Sequence, residues 1–370
     1  MRSPRRTPAR APAGALCSLE DSPIGSSSLY ATLAVVTHTV VEFGELLGRA
    51  GASAIVDLCE RFGRYGMYSQ EHVESDIGRG LSQRHDAASN FVRTGGRFAR
   101  DEPIATLAAR TNYFREEYAY GAEPIIDGIE PYLFHEGFAD AARKVHDRPL
   151  IEPAIVFANL MVPGQELAVH TDVPEFRGCN RKVMPQWLLV AMHHSGLFDA
   201  WRMPIATGVA WFHDCEGGEF CFYPDGAQGA PVAKQVLYDT ALLFDADSVF
   251  HGVDRIDADG AGRDIAPLRP GMSLDFVGDR QWSVHDGDDV VADYKWDELR
   301  FSVSWKAYCF EDEREQRTWR EHADDLTLEF VVDRLVDDLR SRGRIEVDVP
   351  DNPDLGLLII EEYIRFPTPA

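Results

Sequence analysis

The first and last parts of the chain carry apolar residues at spacings of three and four, which is the pattern of helices that bury one face. In the final stripe Leu328, Leu335 and Leu339 lie on one side, and Gly343 follows at a position typical of a helix end. This spacing predicts helices over residues 29–47, 54–62, 136–145 and 328–339.

The middle of the chain has a different pattern. From Pro153 onward, short apolar runs rich in branched and aromatic residues alternate with turn signals such as Pro163-Gly164 and Gly217-Gly218. These runs predict strands over residues 155–162, 167–170, 186–192, 207–212, 219–223, 236–238, 241–244, 249–253 and 301–310. Many short strands with turns between them indicate an antiparallel sandwich or barrel.

The two patterns together predict a mainly β protein with flanking helices. We expect a jelly-roll core over residues 151–310, between a helical part at 26–150 and another at 311–370, all in one globular domain. Residues 1–25 begin with arginines and prolines and no continuous apolar stretch, which favours a disordered tail over a signal or transit peptide.

Composition narrows the function. The formal net charge of −24 disfavours partners with phosphate backbones and anionic membranes, so we expect neither nucleic-acid nor membrane binding. No apolar run approaches the roughly 20 residues that span a bilayer. The six cysteines contain no C-x-x-C pair, which gives a thiolate zinc site no support and suits a reducing cytoplasm.

A candidate metal site lies in the strand region. His170 and Asp172 follow a predicted strand, and His251 lies 81 residues later beside another. Residues two apart on a strand project from the same face, whereas on a helix they point about 200° apart. The chain has two further His-x-acid triplets, at 72–74 and 322–324, but both fall in predicted loops or helices. Two imidazoles and one carboxylate form the facial triad that holds Fe(II) with open positions. A buried structural histidine is the alternative for His251.

These motifs resemble the Fe(II)/2-oxoglutarate-dependent oxygenases, and the resemblance implies a double-stranded β-helix core. Four pieces match in order across somewhat under half the chain: Pro163-Gly164-Gln165 before His170-Thr171-Asp172; Gly217-Gly218-Glu219-Phe220; Leu242-Leu243-Phe244-Asp245 before His251-Gly252-Val253; and Arg300-Phe301-Ser302.

The resemblance assigns the distal carboxylate of 2-oxoglutarate to Arg300 and Ser302, which share a strand face. A guanidinium can bind a carboxylate through two parallel hydrogen bonds. The family usually has this arginine closer to the second histidine, so residues 256–297 are an expected insertion of acidic loops and strand-like pieces. Arg269 has the more usual spacing and is the alternative, although Pro267 and Pro270 flank it.

The resemblance implies Fe(II) as cofactor, 2-oxoglutarate and O2 as co-substrates, and an Fe(IV)-oxo species that abstracts hydrogen from the substrate. Related halogenases have a small residue where this chain has Asp172, so hydroxylation is expected, of an amino acid or a natural-product intermediate. Desaturation, cyclisation and epoxidation start from the same oxo species and stay open as other outcomes. Three further alternatives stay open: hydroxylation of a protein residue, a cupin-like metalloenzyme that does not use 2-oxoglutarate, and a non-catalytic β-sandwich binding module.

Substrate contacts are less well defined by the sequence. Arg177 follows the triad closely and could bind a substrate carboxylate, although an exposed loop arginine fits equally well. Residues 112–118 could form a lid, with a helix packing face as the stronger alternative. Trp187 is expected in the core, and His193, His194 and His213 are expected to be structural rather than to line the site.

Overall fold

The computed structural model describes residues 37–69, 73, 77–97, 100–256, 265–346, 348–351 and 353–368. The predicted tail at 1–25 lies outside the described residues, as do residues 257–264 of the expected insertion and part of the first predicted helix.

The strands, numbered in chain order, are β1 Val41–Phe43, β2 Arg64–Met67, β3 Phe114–Tyr120, β4 Glu123–Pro124, β5 Leu150–Met161, β6 Leu167–His170, β7 Glu175–Phe176, β8 Arg202–Met203, β9 Ile205–Trp211, β10 Phe220–Phe222, β11 Val232–Lys234, β12 Thr240–Phe244, β13 His251–Val253, β14 Ser273–Gly278, β15 Gln281–Asp286, β16 Asp289–Lys295 and β17 Arg300–Phe310.

The α-helices are α1 Gly48–Phe62, α2 His85–Thr94, α3 Ile104–Arg110, α4 Glu130–Leu133, α5 Glu136–His146, α6 Gln186–Ser195, α7 Glu313–Arg320, α8 Leu328–Ser341 and α9 Asp354–Tyr363. Short 3-10 helices occupy Asp199–Trp201 and Trp296–Glu298. No helix in the described ranges is long and apolar enough to span a membrane.

Two antiparallel sheets form the centre of the fold. The large sheet has the order β1-β12-β9-β17-β5-β3-β2-β14-β15-β16, with β4 beside β3, and the small sheet has the order β11-β10-β13-β6. Apolar residues of both sheets, such as Met161 and Trp211 from the large one and Phe220 and Val253 from the small one, form one buried cluster. The sheets therefore pack face to face, a mainly antiparallel arrangement consistent with the predicted jelly roll.

Helices cover the outer faces. Helix α5 packs across β5, β9, β12 and β17, where Phe138 is fully buried. On the other side α6, α8 and α9 share a second core through Leu188, Leu335 and Ile359. The predicted helices at 136–145 and 328–339 are therefore confirmed, and the packing of their apolar stripes supports the reason for predicting them.

The strand predicted at 186–192 is wrong, because these residues belong to α6. Every residue of that stretch is buried. A helix that is apolar on all sides has no helical periodicity to detect, and it cannot be told from a buried strand by pattern alone. Pro185 before the helix and Gly196 after it, at φ +68°, are the signals that mark its ends.

The part at 26–150 is less helical than predicted. Residues 41–43, expected to be helical, form β1 against β12 at the edge of the large sheet, and β2, β3 and β4 follow later in the same part. The described portion of the expected insertion contains the meander β14–β15–β16, which extends the large sheet beyond β2. These strands occupy residues where loops and strand-like pieces were predicted.

Candidate active site

Two paired strands of the small sheet position the candidate metal triad. His170 is the last residue of β6 and His251 is the first of β13, and the two are direct partners in the antiparallel register. Asp172 follows β6, and its backbone N–H donates a 2.8 Å hydrogen bond to the carbonyl of Ala246. The loop before β13 therefore fixes the carboxylate beside both imidazoles.

The side chains of the triad converge. One possible ligand atom from each of His170, Asp172 and His251 lies within 4.8 Å of the others. The Nε2 atoms of both histidines are 3.6 Å from Oδ1 of Asp172. This donor set, two imidazole nitrogens and one carboxylate oxygen, fits the facial triad of Fe(II).

Each imidazole is held by its other nitrogen. Nδ1 of His170 donates to the carbonyl of Ala168 at 2.7 Å, and Nδ1 of His251 donates to the carbonyl of Val249 at 2.8 Å. Hydrogen bonds of this kind select the tautomer whose Nε2 lone pair is free for a metal. Burial, and secondly the neighbouring His251, lower the pKa of His170, which favours the neutral imidazole that a metal requires.

Asp172 has a cationic partner in Lys306. The Nζ atom of Lys306 donates to Oδ2 of Asp172 at 2.6 Å and to the hydroxyl of Thr207 at 3.2 Å. Burial opposes ionisation of Asp172, but the charge of Lys306 and the interactions with His170 and His251 together outweigh it, and the pKa of this carboxyl lies well below its ordinary value. The triad therefore offers an ionised carboxylate whose Oδ1 faces the imidazoles.

The triad faces a cavity between the two sheets. Residues of the large sheet line one wall, and residues of β6, β10 and β13 line the other. The lining residues are Tyr68, Arg84, Tyr113, Arg115, Phe157, Asn159, Met161, Leu167, His170, Asp172, Val173, Arg181, Gln186, Thr207, Val209, Phe220, His251, Val253, Arg300, Ser302, Ser304 and Lys306.

Arg300 lies in the wall of this cavity and is 2% exposed. Its Nε donates to the carbonyl of Gly218 at 2.8 Å and its Nη1 to the hydroxyl of Ser302 at 3.3 Å, while Nη2 has no hydrogen-bond partner among the residues that the structure describes. Burial lowers the pKa of Arg300 to about 10, so the group still carries its charge at neutral pH. A buried, charged guanidinium with a free nitrogen fits an anionic ligand.

The alternative arginine lies elsewhere. The side chain of Arg269 is 64% exposed and pairs with Asp286 of the meander. Arg177 is also outside the cavity lining: its guanidinium makes two hydrogen bonds with Asp324, at 2.7 and 2.9 Å, and a third with the carbonyl of Ala200. The structure therefore gives Arg177 a structural ion pair in place of the predicted substrate contact.

Three other histidines are structural, as expected. His193 lies 3.0 Å from the Ser248 hydroxyl, and His194 lies 3.3 Å from the Thr171 hydroxyl, both measured from Nε2. Burial lowers the pKa of His193 to about 3 and that of His194 to about 4. His213 contacts the carbonyl of Leu299, and none of the three lines the cavity.

The segment at 112–118 is neither a lid nor a helix face. It enters β3, where Arg115 pairs in register with Asn159 of β5, and Tyr113 and Arg115 line the cavity. Trp187 is buried as predicted, but on α6 rather than on a strand.

The sequence reasoning missed Lys306, Arg115 and Arg181. Lys306 had a signal, because positions 300, 302, 304 and 306 of one strand share a face, and all four line the cavity. Arg181 lies in a loop before α6 and has no periodicity that could place it.

No family model matches the chain, and no curated protein matches it. Solved structures match at low similarity. A prolyl-4-hydroxylase of Pseudomonas putida is 11% identical over 75% of this chain and 97% of its own, with a TM-score of 0.36. HygX from Streptomyces hygroscopicus, solved with nickel, 2-oxoglutarate and hygromycin B, is 10% identical over 75% and 86%, with a TM-score of 0.36.

A third match is SnoK, described as a non-heme α-ketoglutarate-dependent carbocyclase from nogalamycin biosynthesis, 8% identical over 74% of this chain and 81% of its own, with a TM-score of 0.38. These structures are oxygenases of the superfamily that the sequence motifs resemble. Their TM-scores lie below 0.5, so the likeness carries no argument about the site.

Proposed function

We propose that the protein is an Fe(II)- and 2-oxoglutarate-dependent oxygenase that hydroxylates a small molecule. The observation that carries this proposal is a single cavity with the His170, Asp172 and His251 donors on one wall and the buried, incompletely paired Arg300 on another. A structural histidine pair explains neither the convergent carboxylate nor the free guanidinium nitrogen.

Fe(II) would be held by Nε2 of His170, Nε2 of His251 and Oδ1 of Asp172. Once bound with 2-oxoglutarate and O2, it supplies the oxidation of a substrate C–H bond. The protein's contribution is to keep both imidazoles neutral and oriented through their Nδ1 hydrogen bonds, and to keep the carboxylate ionised through Lys306.

2-Oxoglutarate would place its distal carboxylate on Arg300. Nη2 is the free donor, and the Ser302 hydroxyl beside Nη1 is a second group within reach of the same anion. The carbonyl of Gly218 fixes the guanidinium through Nε, so the side chain is oriented before the ligand arrives. Met161, Val209 and Phe220 line the same cavity and are buried, which keeps water from the reacting groups.

A small molecule is the preferred substrate because the triad lies inside a concave site between two packed sheets. The proposal includes two further properties. The core is wound as a double-stranded β-helix, and the protein is located in the cytoplasm. The five cysteines in the described residues are free and buried, which agrees with a reducing compartment.

The test is 2-oxoglutarate turnover without substrate. The purified protein, reconstituted with Fe(II) in air, is expected to convert 2-oxoglutarate to succinate slowly, and Arg300→Gln is expected to abolish the turnover. Arg269→Gln is the matched control and should behave as the wild type, because this arginine is exposed and outside the cavity.

The alternatives give different results. A cupin-like enzyme would bind the metal but form no succinate, and a binding module would show neither property. Either result would overturn the proposal. Hydroxylation of a protein residue would preserve succinate formation and would be recognised by stimulation of the turnover by peptides.

A further inference from the structure

The cavity has a charge opposite to that of the protein as a whole. The chain has a formal net charge of −24. The described residues that line the cavity nevertheless include five cations, which are Arg84, Arg115, Arg181, Arg300 and Lys306, against one carboxylate, Asp172. A pocket with this excess attracts anions, and low-dielectric walls strengthen the attraction.

Most of these cations already have a role. Arg84 makes two hydrogen bonds with Asp86, at 3.1 and 3.0 Å, and a third with the carbonyl of Thr171. Lys306 is paired with Asp172, and Arg300 is assigned above to 2-oxoglutarate. Arg115 has a 3.4 Å contact with Glu117, and its guanidinium lies flat against Phe157, 3.6 Å from the ring centroid.

Arg181 is different, because its guanidinium has no hydrogen bond or ion pair with any of the described residues. The side chain is partly buried. It interacts electrostatically with Glu175, Asp172, Tyr68 and Tyr113. Glu175 itself accepts a hydrogen bond from the Tyr308 hydroxyl at 2.9 Å. A cation left incompletely paired in a cavity wall is costly unless an anionic ligand binds there.

Arg181 and Arg300 occupy different parts of the wall. Arg300 is hydrogen-bonded to the carbonyl of Gly218 and lies near enough to Glu219 to interact with its charge. Arg181 interacts electrostatically with Asp172 of the triad, and it lines the cavity together with Tyr68 and Tyr113. One dicarboxylic co-substrate held on Arg300 therefore leaves Arg181 available for a second anion.

Aromatic rings line the same cavity as Arg181. Tyr68 and Tyr113 stack with ring centroids 5.1 Å apart and an interplanar angle of 10°, and Phe157 lines the same cavity. Such rings form a flat apolar surface on which a planar or aliphatic substrate body can pack.

We infer that the substrate is an anionic small molecule, in the simplest case a carboxylate, whose charged group binds Arg181 while its apolar body contacts Tyr68, Tyr113 and Phe157. This inference rests on the proposed function, since it assigns the substrate end of the same cavity. Bidentate pairing of a planar guanidinium with a carboxylate gives both orientation and selection against neutral analogues.

The test compares benzoate with its neutral isostere benzamide by saturation-transfer NMR on protein loaded with Zn(II) and saturated with 2-oxoglutarate. Benzoate should bind at least tenfold more tightly than benzamide, and Arg181→Gln should remove that difference. Arg181→Lys, which keeps the charge, should restore part of it. Arg314→Gln on exposed α7 is the matched control and should change nothing.

The affinity for 2-oxoglutarate is measured for the same variants. Arg181→Gln should weaken benzoate binding more than 2-oxoglutarate binding, and Arg300→Gln should do the reverse. Equal binding of the two probes, undetectable benzoate binding at millimolar concentration, or equal losses for benzoate and 2-oxoglutarate in Arg181→Gln would overturn the inference. The benzoate and benzamide titrations are repeated without metal and without 2-oxoglutarate. Because these titrations do not depend on iron or 2-oxoglutarate binding, they separate a failure of the inference about Arg181 from a failure of the proposed function.

Discussion

Lys306 Nζ lies 2.6 Å from Oδ2 of Asp172, while Oδ1 of the same carboxylate is the atom that faces both imidazoles. The lysine thus fixes which oxygen is presented to a metal. It acts as a positioning residue, comparable to the carbonyls that hold His170 and His251.

Removing this contact should weaken metal binding. In Lys306→Met the buried Oδ2 loses its donor and Asp172 can rotate, so the Fe(II) affinity is expected to fall by about 10- to 100-fold. The measurement is an anaerobic Fe(II) titration, with Lys144→Met on the exposed side of α5 as control. Unchanged or tighter Fe(II) binding by Lys306→Met would show that the lysine does not position the carboxylate.

Arg300 should determine the affinity for 2-oxoglutarate. Lysine at this position keeps a charge but cannot reproduce the planar fork held by Gly218 and Ser302. We expect Arg300→Lys to raise the KM for 2-oxoglutarate by about 10- to 100-fold, which corresponds to the loss of one charge-assisted hydrogen bond or slightly more. An unchanged KM would place the co-substrate elsewhere.

Gly218 should affect 2-oxoglutarate binding because it leaves room for the Arg300 side chain. Its φ is +64°, and a Cβ there would lie 2.9 Å from Cδ of Arg300 and 2.8 Å from Cγ1 of Ile256. Gly218→Ala should therefore displace the guanidinium and raise the KM for 2-oxoglutarate more than it lowers Fe(II) affinity. Gly226→Ala is the matched control, because its φ is +76° but its Cβ would meet open space. If the two substitutions raised the KM for 2-oxoglutarate equally, backbone strain alone would explain the increase and the contact with Arg300 would not.

Asp247 should make stability fall as the pH rises. This carboxyl is fully buried, neither oxygen has a hydrogen bond within the described part of the chain, and Arg202 is 3.7 Å away. Burial raises the pKa of Asp247 to about 7, above the value of about 3.9 in an unfolded chain. Between these values the folded state holds a proton that the unfolded state has lost, so each increase in pH lowers the free energy of unfolding.

The test is Asp247→Asn. It should raise the free energy of unfolding at pH 8, by on the order of 3–4 kcal/mol, and by less than about 1 kcal/mol at pH 4, where the unfolded carboxyl also holds much of its proton. Asp245→Asn is the contrasting variant, since it breaks the 2.7 Å pair with Arg202 and should destabilise at both pH values. Destabilisation by Asp247→Asn at pH 8 would contradict the assignment.

The sequence was sufficient to predict the candidate site residues that lie on strands, because side chains on a strand alternate between its two faces. His170 ends the strand predicted at 167–170, and Arg300 and Ser302 share the face of the predicted strand at 301–310. In both cases one face is buried and the residue type fixes the chemistry, so a local pattern was enough. Lys306 followed from the same periodicity but was not recognised.

The remaining features depend on tertiary structure. Helix α6 is buried on all sides, so its sequence contains no amphipathic pattern. Arg177 and Arg181 lie in the same loop, and only the fold shows that Asp324, 147 residues away, neutralises the first and leaves the second facing the cavity. Ion pairs between residues so far apart in the sequence cannot be predicted from the spacing of nearby residues.

The most direct measurement is the anaerobic Fe(II) titration of the wild type, Asp172→Ala, His251→Ala and the control His322→Ala, followed by metal analysis after gel filtration. His322 belongs to another His-x-acid triplet, but it is exposed and pairs with Asp325. The wild type and His322→Ala should each bind one Fe(II), and both triad variants should lose it. Failure of the wild type to bind, or equal binding by all four proteins, would contradict an iron site at this triad.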